Sequence, residues 1–451
     1  MKPSGEAATP VVVVGAGIAG LTAAYELHKA GVATVVVERL PYAGGRMSSE
    51  TVDGHVIDRG AYTLSGYSTR TLALADELGV KDQYTHITPW AGLYYRRRVH
   101  RYRGDSPLGM AWGAGFGPTD ALAALAVLRE SKRQTPHLRL HRPDEHTFCL
   151  EEETAAAYAL RMGGDKLLER VAYPMISTLY LSDPEHISKA AFLASMRYTL
   201  GLRLLNSAHG IGLLCDTLAG ILNVQLATEV LACHRKGSGV EVVIRGRQGE
   251  EAVTAQALIS TAVAPVAVRL LGGMLEEEAR EALGEVAYVP SVPVAIGLDA
   301  QVVRGKQFIV NLPRTKRFTH LSAVTTEPNK HPGRVPEGKG LLMALPTREA
   351  SGEFIELDDG EVVRAVLEDV ERLYPRVSGH VAFTRVYRWE HGCSQLRPGD
   401  LRGRARLRAA LPRSGPVFLA GDYLVSSSSI EGSLVSGQQA AKAVLEFLPR
   451  V

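Results

Sequence analysis

Cysteine is scarce in this 451-residue chain, and its four copies, Cys149, Cys215, Cys233 and Cys393, stand far apart with no C-x-x-C pair. That argues against a zinc site and against a redox dithiol, so no metal is expected and the thiols read as reduced and mostly buried. Long apolar runs are missing as well. The opening residues, MKPSGEAATP, contain no apolar leader core, and no segment reaches the roughly 20 apolar residues of a membrane span. A cytoplasmic protein is the expectation, with peripheral membrane contact left open. An excess of one charge is lacking too: 51 Lys+Arg against 48 Asp+Glu leave a formal +3, which implies no nucleic-acid partner.

What remains is the makeup of a globular protein, with 45% hydrophobic and 22% charged residues and a length that suggests two or three domains. One dense basic stretch, residues 94–103 (YYRRRVHRYR), reads as a solvated hairpin or as a patch for an acidic substrate or a lipid headgroup.

The strongest signal is residues 11–20, VVVVGAGIAG. Four apolar β-branched residues predict a buried strand, and Gly15, Gly17 and Gly20 make the G-x-G-x-x-G turn into a helix. Gly15 permits the tight turn, Gly17 lets a pyrophosphate approach the backbone, and Gly20 allows close packing of helix on strand. Ile18 and Ala19 begin that helix, whose unpaired N–H groups and positive dipole end favour phosphate. A second strand, 34–37, ends in Glu38 at the spacing where a carboxylate takes the adenosine ribose hydroxyls, with Arg39 beside it. Gly44-Gly45-Arg46 follows, where two glycines bring backbone close to a ligand and an arginine can pair with phosphate. Asp53-Gly54 predicts a hairpin between 48–52 and 55–57, closed by Asp58-Arg59-Gly60-Ala61, and Gly60 and Ala61 are counted with the nucleotide site.

Between 84 and 208 helical signals dominate, at 121–129 with Thr119-Asp120 as its cap, 151–161, 164–173 and 188–200. Residues 104–117, rich in Gly, Met, Trp and Phe, read as a packed surface loop, with a mobile lid or a membrane-touching loop as the alternative. A helix at 211–222, a hairpin at 240–254 and a buried strand at 257–261 then return the chain to the first domain. Strands at 292–298, 308–311 and 341–345 and a helix at 359–374 predict a mixed sheet. Residues 416–420 form a last buried strand, before Gly421-Asp422 and a closing helix at 433–445. The fold class is α/β: a Rossmann-type nucleotide-binding domain assembled from 1–83, 209–270 and 414–451, a helical subdomain at 84–208, and an α+β substrate-binding domain at 271–413.

Three segments together resemble the flavin amine oxidase superfamily, which includes protoporphyrinogen oxidases, plant-type phytoene desaturases and monoamine oxidases. They are the 15–20 turn with Glu38, then Gly44-Gly45-Arg46, then Ala420-Gly421-Asp422 followed by Ser429-Ile430-Glu431-Gly432-Ser433 and Ser436-Gly437. The resemblance implies FAD, held non-covalently. It implies that Glu38 holds the adenosine ribose, Arg46 lies by the pyrophosphate or flavin, Asp422 bonds the ribityl-pyrophosphate part, and the backbone of Val230 meets adenine. Ser429, Ile430, Glu431 and Ser433 would open the last helix toward the flavin N1/O2 edge, where its dipole stabilises the charge of reduced flavin.

Amine oxidases usually carry a lysine on the strand that here reads SVPVAI (291–296), and none is present. Residues 384–389 (TRVYRW) with Gln395 and Gly399, and 179–184 (LYLSDP) through Ser188, resemble protoporphyrinogen oxidases instead, while the 420–433 segment resembles desaturases. The implied reaction is hydride transfer from a C–H bond to flavin N5, forming C=C or C=N in an apolar small-molecule substrate, with oxygen or a quinone as electron acceptor. An amine or amino-acid oxidase, and an FAD-bound isomerase without net redox change, are the alternatives. Tyr387, Trp389, His391 and Tyr423 are the candidates for catalysis, and these patterns leave the oligomeric state open.

Overall fold

The computed structural model describes residues 9–138, 143–197, 203–411, 415–425 and 429–449. Its organising layer is a five-stranded parallel sheet in the order Val224–Gln225, Thr34–Val37, Val11–Val14, Ala257–Ser260, Val417–Leu419. Val11 pairs with Thr34 on one side and Ala257 on the other, and Leu258 pairs with Val417. These strands are short unbroken apolar runs because both faces of a parallel sheet are covered. One face carries the helices Ile18–Lys29, Leu213–Ile221 and Ile430–Phe447. The other packs on the antiparallel three-stranded sheet Glu229–Lys236, Gly239–Gly246, Gly249–Ala255 and on the helix Ala264–Leu271. Strand order reverses direction between Val11–Val14 and Ala257–Ser260, and the crevice outside such a switch point is where α/β sheets bind ligands.

A second, seven-stranded sheet runs Val381–Val386, Val294–Leu298, Gly340–Pro346, Leu321–Thr326, Ile309–Asn311, Trp90–Tyr95, Arg98–Arg103. Its neighbours are antiparallel except Ile309–Asn311 with Trp90–Tyr95, so the expected mixed sheet forms. Side chains alternate between its faces. Val294, Ile296 and Leu298 pack with Val362, Val366 and Val370 of the helix Asp359–Leu373, whereas Ala295, Leu341 and Met343 turn to the opposite side and meet Ile57 of the first domain.

Several expectations need correction. The region 84–208 is not uniformly helical: its hairpin at 90–103 supplies two strands of the seven-stranded sheet, because strand pairing is decided by distant partners rather than by local composition. The helices Pro118–Gln134, Glu145–Leu150, Ala155–Leu167, Tyr173–Leu179 and Lys189–Met196 do gather there around their own core. The first of them is capped at Gly117, whose N–H donates to Asp120 Oδ2 at 2.8 Å, and not at Thr119-Asp120. The separate helices expected at 151–161 and 164–173 are replaced by Ala155–Leu167, broken at Gly163 and Gly164, and a π-turn at Leu168–Ala172. Within the supposed loop 104–117, Pro107–Gly113 is a helix, its Ser106 Oγ accepting from the Gly109 N–H at 3.2 Å. The closing helix starts at Ile430, one turn earlier than its apolar pattern suggests. Residues 198–200 of the helix expected at 188–200, and 426–428, lie outside the described residues. No helix among the described residues is long and apolar enough to cross a membrane.

Candidate active site

The glycine turn sits at the switch point. Gly15, at φ +100°, donates to the Val37 carbonyl at 2.8 Å, and a Cβ on Gly20 would stand 2.0 Å from the Gly15 carbonyl oxygen. Gly17 differs from both: a Cβ there would meet nothing within 4 Å, and its backbone is ordinary extended. The space over Gly17 is therefore open to a bound group, as a pyrophosphate requires. Gly17→Val is expected to leave the fold intact, because the valine has room and no strain, while lowering FAD affinity by about 10–100-fold, the ~1–3 kcal/mol of a steric intrusion. Thermal unfolding of the flavin-free protein beside FAD titration checks this, and an equal loss of both would contradict it.

Glu38 is buried at the end of its strand. Its Oε2 accepts the Ala16 N–H and its Oε1 the Leu40 N–H, each at 2.8 Å. A carboxylate has about four acceptor sites, so the two bonds that tie it to the turn leave room for two ribose hydroxyls. Arg39 is exposed. Gly44, at φ +94°, donates to the Ala16 carbonyl at 2.8 Å, so the second glycine motif lies directly on the first. Gly60 faces the Arg46 carbonyl, where a Cβ would come within 2.5 Å, and the Ala61 N–H donates to the same oxygen at 2.8 Å. Val230 sits at a bulge just past Thr228, whose N–H donates to the Glu38 carbonyl, and its side chain is buried in the core.

Arg46 and Asp422, read from sequence as two separate ligands of the cofactor, bond each other. Arg46 Nη1 and Nη2 reach Asp422 Oδ2 and Oδ1 at 3.3 and 3.2 Å, and Nη1 also donates to the Gly392 carbonyl at 3.2 Å. Ser394 Oγ donates to Asp422 at 2.9 Å, and the buried Arg404 donates to the Asp422 carbonyl at 3.1 Å and to Val425. Burial alone would raise the Asp422 carboxyl, but Arg46 and Arg404 outweigh it and hold it below the usual carboxylate range. The Arg46 side chain remains 33% exposed, so it can still offer an edge to a phosphate.

At the start of the closing helix, Ser429 Oγ accepts the Gly432 N–H at 3.1 Å, and Ile430 and Ser433 are half-buried in the first turn. The Glu431 side chain turns away from this end. Its carboxylate accepts the N–H groups of Arg70 and Thr71 and the Thr71 hydroxyl, at 2.8, 2.9 and 2.7 Å, and so caps the helix Thr69–Glu77. Only its backbone is left for a flavin.

The four catalytic candidates fare unequally. Tyr423 is 1% exposed in the core beneath the sheet, and its hydroxyl has no hydrogen-bond partner among the described residues. Tyr387 donates to Glu50 Oε1 at 2.5 Å and Trp389 Nε1 to the Arg59 carbonyl at 2.8 Å, so their polar ends pin the strand Trp389–Ser394 and its approach to the first domain. His391 is half-buried, edge-on to Tyr288 with centroids 5.3 Å apart, and its carbonyl accepts from Arg46 at 3.4 Å. Gln395 Nε2 donates to the Tyr180 carbonyl at 3.0 Å and the Ser188 N–H to Leu396, so the two protoporphyrinogen-oxidase-like segments touch.

Sequence reasoning missed Ser394, Arg404 and a buried charge cluster behind the 58–62 turn. Asp58 Oδ2 pairs with Arg334 Nη2 at 2.9 Å and accepts from Asn206 Nδ2 at 3.1 Å, while Oδ1 accepts from Ser49 Oγ and the Ile211 N–H. Glu327 pairs with Lys330 at 2.8 Å and Arg334 at 3.2 Å, and Lys330 Nζ stands 5.0 Å from the centre of the Tyr62 ring. Two acids and two bases cancel, which is how such a cluster tolerates complete burial. It joins the turn that precedes Gly60 to the segment after the strand Leu321–Thr326. Asp58, in the run DRGA, was the only visible hint, since nothing local marks a partner 276 positions downstream.

A parallel sheet with a glycine turn at its switch point, closed by segments from the far end of the chain and facing a separate mixed sheet, defines a dinucleotide-dependent oxidoreductase. Residues 18–445 match the family of flavin-containing amine oxidoreductases, and the chain belongs to it; its cofactor is FAD and it is an oxidoreductase. The chain is 23% identical to a coproporphyrinogen III oxidase of Bacillus subtilis over 486 positions, covering 97% of this chain and 98% of that one. It is 49% identical to a putrescine oxidase of Kocuria rosea over 71 residues only, 16% of this chain and 15% of that protein. The crystal structure of a putative protoporphyrinogen oxidase from Exiguobacterium sp. 255-15 superposes with a TM-score of 0.73 at 20% identity, covering 98% of this chain and all of the other, which supports the fold.

Proposed function

We propose that this enzyme dehydrogenates a porphyrinogen-like substrate, each two-electron step taking a hydride from a bridging C–H bond to the flavin and releasing a proton from a pyrrole N–H to leave a new double bond, with three such steps giving the porphyrin and oxygen or a quinone as acceptor. The observation that carries this is the extent of sequence likeness: it runs end to end with the coproporphyrinogen oxidase, whereas the stronger sequence identity to a putrescine oxidase is confined to a short segment; the fold is shared by both kinds of enzyme and does not choose between them. The strand Val294–Leu298 agrees, being wholly apolar and buried where an amine oxidase would offer a lysine.

FAD supplies the hydride acceptor. Glu38 would hold its ribose, the open turn at Gly17 its pyrophosphate, and Arg46, kept in place by Asp422, would neutralise phosphate charge. Ile57, Ala295, Leu341 and Met343 form an apolar seam between the first domain and the large sheet and keep that contact free of water. No proton transfer is assigned to Tyr387 or Trp389, because their polar groups hold the strand in place. Aerobic turnover tests the reading: coproporphyrinogen III gives a fluorescent porphyrin and peroxide if oxygen is the acceptor, and porphyrin only with added quinone if it is not. Aldehyde and ammonia from putrescine, with coproporphyrinogen III untouched, would replace it by amine oxidation.

A further inference from the structure

The hairpin Trp90–Tyr95 and Arg98–Arg103 turns at Arg96 and Arg97, whose φ angles are +50° and +64°. A two-residue turn of this kind is where Asn or Gly sits without strain, and an arginine at both positions is an unfavourable choice for folding alone. Arg96, Arg97, Arg98 and Arg101 are exposed, and none pairs with a carboxylate among the described residues. Arg103 alone is neutralised, by Asp105 at 2.7 Å.

Against this hairpin lies the helix Pro107–Gly113, with Leu108 and Trp112 one turn apart on a shared face. Each is 84% exposed, more than any other large apolar side chain among the described residues. The helix is fixed in place. Gly113 touches Tyr102, where a Cβ would come within 2.4 Å, and Arg170 Nη1 donates to the Ala114 carbonyl at 2.6 Å while stacking over Tyr95. Between helix and hairpin is a cavity of about 350 Å³, lined by Arg98, Val99, His100, Arg101, Trp112 and Gly113.

A tryptophan and a leucine presented to solvent and edged by guanidinium groups that have no carboxylate partner among the described residues match the layered chemistry of a bilayer surface. The indole lies at headgroup depth, the leucine reaches the acyl boundary, and arginine forks onto phosphate. A second copy of this chain fits poorly, since the same face would set arginines against arginines. The geometry points to this face as a docking surface for an anionic phospholipid membrane, with Trp112 and Leu108 inserted and Arg97, Arg98 and Arg101 on the phosphates. It stands independently of the substrate proposed above.

The test is co-sedimentation of the FAD-loaded enzyme with phosphatidylcholine vesicles, with and without phosphatidylglycerol. Binding is expected to the anionic vesicles only, with a blue shift of tryptophan emission, and to weaken as salt rises. Trp112→Ser and the double variant Arg97→Glu/Arg98→Glu are each expected to lower the partition coefficient by about tenfold or more while keeping flavin content, melting temperature and turnover of dissolved substrate. Four results would overturn the proposal: no sedimentation with anionic vesicles, equal binding to both compositions, unchanged binding by both variants, or concentration-dependent dimerisation abolished by Trp112→Ser. Full competition by dissolved glycerol phosphate would also overturn it, assigning the cavity to a free phosphate.

Discussion

Asp422→Ala is expected to purify without FAD and to unfold several degrees below the unmodified protein. The carboxylate faces Arg46 in a forked pair, accepts from Ser394, and lies beside Arg404, which is 3% exposed. Removing it leaves one buried and one partly exposed guanidinium without a counter-charge, a loss of about 3–5 kcal/mol where both are desolvated and less for the screened share of Arg46. The effect on FAD is larger than on stability, because Arg46 loses the group that aims it and the contact between the two ends of the chain loosens. Asp422→Asn separates the two roles, since it can keep the Ser394 bond but not the charge, and is expected to retain more of the fold than of the flavin. The ratio of flavin to protein absorbance and a calorimetric melt measure both. Full flavin content in Asp422→Ala would show that the pair is not part of the FAD site.

The second large effect is expected at the buried cluster. Arg334→Met leaves Asp58 and Glu327, both almost without exposure, to share Lys330 alone, and is expected to cost about 3–5 kcal/mol. Asp58 also sets the acid limit. Burial pushes its carboxyl up, but Arg334 and Lys330 together hold it below the ordinary range. A depressed native value means that the stabilisation is complete above the unfolded value of roughly 3.9 and is lost as pH falls through the native one. Asp422 adds to the same limb. Urea midpoints should therefore fall steeply below about pH 4 in the unmodified protein and less steeply in Asp58→Asn, which begins from a lower midpoint. Parallel curves for the two proteins would mean that other carboxylates govern acid unfolding.

Legibility in the sequence followed the range of the interactions. The turn at Gly15, Gly17 and Gly20, the strands on either side and Glu38 could be read because each follows from contacts within about two dozen residues. The strand Leu321–Thr326, LSAVTT, went unread: it is buried throughout, shows no alternation, and is defined by neighbours on both sides. Arg404 lies in DLRGRARLR, which has the look of a solvated helix, and only the fold buries Arg404 and turns Arg408 toward the Leu424 carbonyl. At Glu431 nothing local shows where the side chain goes, because its direction is set by the helix Thr69–Glu77 packed beside it. The same logic explains why the pairing of Arg46 with Asp422, 376 positions apart, could not be read from either motif.

On the proposed function, both ends of the chain build one FAD site, and a porphyrinogen-like substrate reduces the flavin held there. Anaerobic mixing of the FAD-loaded enzyme with coproporphyrinogen III tests it most directly. The oxidised-flavin band should bleach within the first turnover, return when oxygen or a quinone is admitted, and be absent from the start in Asp422→Ala. A flavin that stays oxidised with coproporphyrinogen III but bleaches with putrescine would contradict the account.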